Sequence, residues 1–425
     1  MTRWMLVLPI MLGLIAAACG GAGAPSDAGD GGNVAVVDID RPAPDPEAML
    51  STARAVTALS LDLYREIAVE GQNLVFSPYS AAVALGMTRV GARGQTAVEM
   101  DAVLYADLAG DLNAGFNALE QALASRPGEF ETVDGPLALE LATANRIWSQ
   151  DGLPLEQPFL ETLAGNYGAG VRLVDYAEDT EGARQQINDW VSDRTNDRIP
   201  MLIPVGILNP STRLVLTNAV YLNAPWAVPF SPAGDDIFRR LDGTEVQTPF
   251  MRLDIDFAYG EGPDYQAIEL PYIGGELSMV VLVPEAGAFA EVEALLTATS
   301  LANLPAQLEP RAMFFRFPKF EFRVTASLSD ALKNLGMPTA FGAGADFSGI
   351  TGSAALSISE VLHEAFIAVD ELGTEAAAAT AVAFDESAPA DPVHLTVDRP
   401  FIFFIRDVET NTILFLGRVL DPTAS

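Results

Sequence analysis

The sequence predicts a mixed α+β fold, helical in its first part and sheet-rich in its last. Three observations carry this prediction. Residues 47–70 place Leu50, Val56, Leu59, Leu63 and Ile67 at helical spacing. From about residue 212 the pattern turns to strands, in Arg213-Leu-Val-Leu-Thr217, Leu277-Ser-Met-Val-Val-Leu-Val283 and Ala312-Met-Phe-Phe-Arg-Phe317. The chain closes on Phe401-Ile-Phe-Phe-Ile405 and Ile413-Leu-Phe-Leu416, apolar throughout, as a strand pair buried on both faces would be.

Residues 1–18 read as an export signal rather than as part of the fold. Arg3 supplies the positive start, and Trp4 to Ala18 is an apolar run too short to span a bilayer comfortably. Small residues, Ala16-Ala17-Ala18, close it ahead of Cys19, the only cysteine of the chain. A lone cysteine makes no internal disulfide. In this setting Cys19 resembles the acceptor of a bacterial lipoprotein, although Ala16 stands where a leucine is usual. The alternative is ordinary cleavage after Ala18. Residues 19–46, rich in Gly, Ala, Asp and Pro, read as a flexible tether, and the folded domain is expected over 47–425. The protein is therefore expected to be exported, either as a cell-envelope lipoprotein or as a secreted, extracellular protein.

Within the folded part, the helix over 47–70 ends at Gly71. Ser77-Pro78 marks the start of another, with Ser as cap and Pro in the first turn. A further helix is expected over 182–199. The chain has 425 residues and a net charge of −33, with 57 acidic residues against 24 basic ones. Such a surface repels phosphate backbones, and it lacks the clustered Lys and Arg that a heparin-type polyanion needs. No HExxH, CxxC, P-loop or G-x-S-x-G motif is present, so no metal and no cofactor is implied. The two histidines, His363 and His394, leave a hydrolase triad open by counting alone. The plainer reading of His363 is a buried, hydrogen-bonded side chain.

The segment Asp370 to Asp385 reads two ways. By propensity its alanine run forms a helix. With period two, Thr374, Ala376, Ala378, Thr380, Val382 and Phe384 make one uncharged face. Glu375, Ala377, Ala379, Ala381, Ala383 and Asp385 make the other, which carries both charges and would face outward. Such a segment suits an exposed loop in one state and a strand in another.

This segment, Glu371-Leu-Gly-Thr-Glu-Ala-Ala-Ala-Ala-Thr380, resembles the reactive-loop hinge of the serpins, and the likeness extends along the chain. Asn73-Leu-Val-Phe-Ser-Pro-Tyr-Ser80, Gly91-Ala-Arg-Gly-Gln-Thr96 and Leu216-Thr-Asn-Ala-Val-Tyr221 with Trp226 resemble early and central family signatures. Phe317-Pro-Lys-Phe320, Ala345-Asp-Phe-Ser-Gly349, Arg399-Pro-Phe-Ile-Phe403 and Leu416-Gly-Arg-Val419 follow in family order. The resemblance covers residues 47–425. It implies the serpin fold: three β-sheets, eight to nine helices and an exposed reactive-centre loop. It also implies a suicide inhibitor rather than an enzyme. The target protease, a serine or cysteine endopeptidase, cuts the loop and is trapped covalently as an acyl-enzyme when the cut loop inserts into the central sheet. The inhibitor is expected to be a monomer, to touch membrane only through a lipid anchor and to bind no nucleic acid.

The resemblance also assigns sites. The hinge is Gly373, Thr374, Glu375, Ala376, Ala377, Ala378, Ala379 and Thr380. Ser77, Ser80, Asn218 and His363 map onto the shutter, where the sheet must part. Trp226, Lys319 and Glu371 map onto the breach, the last two as an ion pair. Counting from Glu371 puts the scissile bond at Ser387–Ala388, counting back from Pro400 reaches Pro389, and Phe384 is a further candidate. No Lys or Arg lies between Glu375 and His394, so elastase-, subtilisin- or chymotrypsin-like targets fit better than trypsin-like ones. Because the hinge holds only Thr, Glu and Ala, inhibition is favoured over the alternative, a non-inhibitory binding or structural module at the cell surface.

Overall fold

The computed structural model describes residues 33–132, 135–353, 356–375 and 392–424. The fold is the expected mixed α+β arrangement. Eleven α-helical segments are found among the described residues, six of them ten residues or longer.

Local chemistry sets the helix ends. Asp45 caps the first helix, Pro46–Ile67, by accepting from the Glu47 and Ala48 amides at 2.9 and 3.2 Å. Val56, Leu59 and Leu63 line its buried stripe as the spacing predicts. Leu50 does not; it lies 43 % exposed, and Thr52 and Ala53 take the inward positions of that turn. Ser77 caps Pro78–Arg89 by accepting from the Ser80 amide at 3.2 Å. The helix expected over 182–199 runs Thr180–Arg194 and starts at Asp179, which accepts from the Gly182 amide at 2.9 Å. It stops short because Asn196 and Asp197 adopt left-handed φ of 48° and 61°, which a helix cannot continue through.

The strands form two hydrogen-bonded networks rather than three separate sheets. Glu309–Pro318 causes the merger. Its first half pairs with Asp256–Gly262 and its second half with Glu245–Leu253, so it joins two of the expected sheets into one of ten strands. The closing strands Phe401–Asp407 and Ile413–Val419 lie in this network, and each is buried at every residue.

The other network holds nine strands, and Leu214–Pro225 is its spine. On one side it pairs antiparallel with Gly135–Thr143 and Arg146–Gln150. On the other it pairs in parallel with Glu360–Val369, whose far neighbour is Phe320–Ser327. Both faces of the spine are covered. Leu214, Leu216, Val220, Leu222 and Ala224 enter the main core with Pro46–Ile67 and Pro78–Arg89. Val215 and Ala219 enter a second, smaller core under Thr180–Arg194 and the connection that follows it, with Trp148, Trp190 and Leu202. The spine is therefore buried along almost its whole length, Asn223 alone being only partly covered.

The domain boundary expected near residue 47 lies further toward the N-terminus. Val34–Ala35 adds an edge strand, antiparallel to Val171–Arg172. Arg41 donates to Asn117 Oδ1 and to the Asn166 carbonyl, both at 3.1 Å, and the Pro42 carbonyl accepts from Asn117 and Gln121 at 3.0 Å. Two edge amides and one long cation thus find partners that composition did not reveal. Arg41→Ala should lower unfolding stability by about 1–2 kcal/mol, since the Asn166 carbonyl loses its side-chain donor and Glu120 its ion-pair partner. A urea midpoint equal to that of the unaltered chain would remove this segment from the stability of the fold.

Candidate functional site: a forked sheet

The spine and Glu360–Val369 are hydrogen-bonded from Val215↔Glu360 to Val220↔Ala365. Above that point the two strands diverge, and Gly373–Thr374 sits between them. Gly373 faces Pro225, while Thr374 faces Ala224 on one side and Val369 on the other. The wedge runs antiparallel to both neighbours. A turn brings the chain there, with the Asp370 amide donating to the Gly373 carbonyl at 3.0 Å and the Leu372 amide to Asp370 Oδ1 at 2.8 Å. Glycine is required at 373, because a Cβ would lie 2.2 Å from the Ala224 carbonyl oxygen.

Thr374 points into the main core, as the period-two reading expects of its face. It is 3 % exposed, and its hydroxyl shares a 2.6 Å hydrogen bond with Tyr272. The Tyr272 ring stacks on Trp226 at 4.6 Å and 6°. Trp226 holds the turn from the opposite side. Its indole donates to the Asp370 carbonyl at 2.9 Å and its amide to the Leu372 carbonyl at 2.8 Å. Lys319 Nζ meets Glu371 Oε2 at 2.7 Å, with the carboxylate half-buried, so the expected ion pair is present.

Glu375 departs from its expected position. It lies on the face opposite Thr374 but is not solvated: its side chain is 6 % exposed and ion-paired with Arg198. The reason is the second core, because the connection after Thr180–Arg194 covers that face of the sheet and carries Arg198 across it. Burial pushes the Glu375 carboxyl up to about 7; Arg198 opposes this shift and the nearby Glu321 and Glu140 add to it. A carboxyl raised on docking favours the docked hinge below its free value near 4.5 and weakens it as pH climbs through about 7. Trp226 emission, which reports the docked turn, should therefore shift between pH 5 and 8. Glu375→Gln should abolish the shift, and an unchanged profile in that variant would exclude Glu375 as its source.

Below the fork, the predicted shutter residues meet in one network. The Ser77 amide donates to His363 Nε2 at 3.1 Å, and His363 Nδ1 bonds Asn218 Oδ1. Asn218 Nδ2 donates to Asn145 Oδ1 at 3.0 Å, and the Ser80 hydroxyl donates to the same oxygen. Asn145 was not anticipated. It lies across from Asn218 where the pairing passes from Thr143↔Val220 to Arg146↔Thr217. The only signal in the sequence is a polar residue within Thr143-Ala-Asn-Arg-Ile147, which the strand pattern alone does not single out.

The network assigns His363 a structural chemistry. Both ring nitrogens are engaged, the side chain is fully buried, and desolvation pushes its ionisation down to about 3. His394 is exposed, with its ring against Phe314 at 4.8 Å. Among the described residues neither histidine stands in a hydrolase triad, and no group of His, Cys, Asp and Glu is placed to hold a metal. His363→Ala leaves the Ser77 amide and Asn218 Oδ1 buried without partners and should cost about 3 kcal/mol near neutrality. A depressed histidine contributes stability above 6.5 that is lost as pH falls from 6.5 toward 3. The difference in unfolding free energy between wild type and variant should narrow over that interval. A constant difference would exclude this titration.

The structure therefore brings Ser77, Ser80, Asn218 and His363 together, and separately Trp226, Lys319, Glu371, Gly373 and Thr374. Ala376, Ala377, Ala378, Ala379 and Thr380, the candidates Phe384, Ser387 and Ala388, and Cys19 lie outside the described residues.

Comparison with known proteins agrees with this geometry. The family model described as Serpin (serine protease inhibitor) matches residues 54–422. A serpin-like protein of Thermococcus kodakarensis is 40 % identical over 374 residues, covering 87 % of this chain and 85 % of its own. The leukocyte elastase inhibitor A of Mus musculus is 34 % identical, covering 88 % and 99 %. The crystal structure of tengpin, a thermophilic serpin in its native state, superposes with a TM-score of 0.78 at 30 % identity, covering 91 % of this chain and 97 % of that one. The chain belongs to the serpin family, whose members are generally protease inhibitors rather than enzymes.

Proposed function

We propose that this protein is a single-use inhibitor of serine or cysteine endopeptidases, which it traps as an acyl-enzyme by inserting its cut loop between Leu214–Pro225 and Glu360–Val369. One observation carries the reading: the first two hinge residues already lie between these strands, in the orientation a full insertion needs. Continuing that register one residue for one residue sets Thr380 opposite Asn218 on one side and His363 on the other, the pair that closes the sheet today. Insertion thus separates this pair and offers it a hydroxyl in return. Ala376 and Ala378 would follow Thr374 into the main core, where their small side chains meet little resistance. The new strand gains ladder hydrogen bonds on both edges, which supplies the free energy to move the protease.

Several further statements belong to the same proposal. The target is elastase-, subtilisin- or chymotrypsin-like, since the loop offers no cation near the scissile bond; an elastase inhibitor among the relatives is in keeping with this. The complex is covalent and the free inhibitor a monomer. The chain is exported and held at the cell envelope through Cys19, or released.

Incubation with elastase, subtilisin, chymotrypsin and trypsin tests the reading. A complex that survives boiling in SDS is expected with at least one of the first three, and mass spectrometry of the released C-terminal peptide identifies the cut bond. Cleavage by all of them with no complex and no rise in melting temperature would refute it. Ala378→Arg should turn the inhibitor into a substrate, because insertion would have to carry a guanidinium into the main core. Thr380→Val should lower the melting temperature of the cut form while leaving the uncut form unchanged.

A further inference from the structure

The crotch of the fork carries contacts of its own, on the face of the sheet that the second core occupies. Phe366 is the first residue of Glu360–Val369 past the last pair with the spine, Val220↔Ala365. Arg323 stands directly across from it on the outer strand, and Thr325 across from Glu364. Two guanidinium groups meet the Phe366 ring. Arg323 and Arg198 each lie 5.7 Å from its centre, close enough for a cation to be drawn to an aromatic face. Each also has a carboxylate: Glu364 at 3.2 Å for Arg323, and Glu375 of the hinge for Arg198. Glu364 is almost wholly buried and accepts from the Thr325 hydroxyl at 2.8 Å, so the group that orients Arg323 is itself fixed. A further Arg323 N–H donates to the backbone carbonyl of Arg198.

This last bond crosses the fork. Arg323 belongs to the far half of the sheet, since the outer strand is paired with Glu360–Val369 along its whole length, from Phe320↔Val369 to Ser327↔Leu362. Arg198 belongs to the near half. Its connection is rooted through Ile199, Leu202 and Ile203 in the second core, with Val215 and Ala219 of the spine; of the far half only Leu362 reaches that core among the described residues. Asn188 of the helix Thr180–Arg194 holds both backbone groups of Ile203. A strand added between the spine and Glu360–Val369 moves the two halves apart by one strand spacing, about 4.8 Å. No hydrogen bond survives that displacement. Either Arg323 lets go of the Arg198 carbonyl, or the connection leaves its core and exposes Ile199, Leu202 and Ile203, all fully buried. Release of Arg323 is the cheaper event.

We propose that Arg323 is a positioning residue for loop insertion: by holding the Arg198 carbonyl beside Phe366 it straps the connection across the fork, and its release sets the rate at which the sheet opens. The effect on insertion rests on the inhibitory function proposed above; the strap itself does not.

Arg323→Ala and Phe366→Leu test this in the full chain. Hydrogen exchange reads the strap in the uncut form. The amides of Asp197, Arg198 and Ile199 should exchange about fivefold faster in Arg323→Ala, as the loss of one hydrogen bond implies, while those of the spine stay protected. Melting separates a strap from an ordinary stabilising contact. Arg323→Ala should lower the melting temperature of the uncut form and leave that of the cut, inserted form unchanged, because the contact is then already broken. With the protease of the panel above that is trapped fastest, the first-order trapping rate at saturating protease should rise about fivefold in Arg323→Ala and less in Phe366→Leu. The double variant should add little to Arg323→Ala, since both act through one contact. Unchanged exchange at Asp197, Arg198 and Ile199, or an equal loss of melting temperature in the cut and uncut forms, would overturn the strap. Faster exchange with an unchanged trapping rate would overturn its part in insertion. Faster exchange in Arg323→Ala, with no protease trapped by the wild type, would leave the strap standing and remove the inhibitory function instead.

Discussion

Much of this structure depends on one pairing, the parallel contact between Leu214–Pro225 and Glu360–Val369. It is the place where the sheet forks. Six residue pairs hold it closed, and above them two residues of the hinge hold it apart. A parallel contact of this kind is not made by a hairpin, so the two strands reach it from distant parts of the sequence. Nothing covalent or local keeps them together. Beyond the backbone pairs, side-chain chemistry keeps them together: the amide–amide–imidazole chain of Asn145, Asn218 and His363 below, and the Trp226–Tyr272 stack with its carbonyl contacts above.

These two clusters differ in how they hold. The lower one is buried and fully polar, and each member finds its partner in another element. Such a network is stable while intact and costly to break in part. The upper one is an aromatic platform that receives one hydroxyl and two carbonyls. It positions the hinge without charge, and the charges are set at its margins, Lys319–Glu371 on one side and Arg198–Glu375 on the other. The first margin joins the turn to the one-residue link between Glu309–Pro318 and Phe320–Ser327. The second ties the hinge to the connection that lies over the sheet, so moving the hinge and moving that cover are parts of one event.

How much of this was legible in the sequence can be judged residue by residue. Thr374 was assigned inward by alternation, and it is inward, because side-chain parity survives wherever a strand runs regularly. Glu375 was assigned outward by the same rule, which is geometrically right and chemically incomplete. Alternation names a face of the sheet but not what covers that face, and Arg198 arrives from a different part of the chain. Ser77, Asn218 and His363 were grouped only through family resemblance; no spacing joins them, since each comes from a separate element. Asn145 escaped both routes, as its role exists only in the pairing of two strands. Val34–Ala35 escaped for a different reason. Two residues carry too little pattern to outweigh the Gly- and Asp-rich stretch around them, and the strand exists because a larger sheet offers an edge. The helical stripe was right in period and wrong at Leu50, where a helix end leaves one apolar side chain uncovered.

That short edge strand also gives the molecule a mechanical polarity. Tension on the chain preceding Asn33 reaches the domain first at two antiparallel residue pairs, Val34↔Arg172 and Ala35↔Val171, on the same sheet that carries the hinge. Next in line are the Arg41 contacts, on a helix rather than on the sheet. Load applied through Asn33 would therefore peel two pairs and then pull on the helical layer, leaving the fork unloaded. An edge strand this short acts as a fuse: it yields before force can travel through the sheet to the fork.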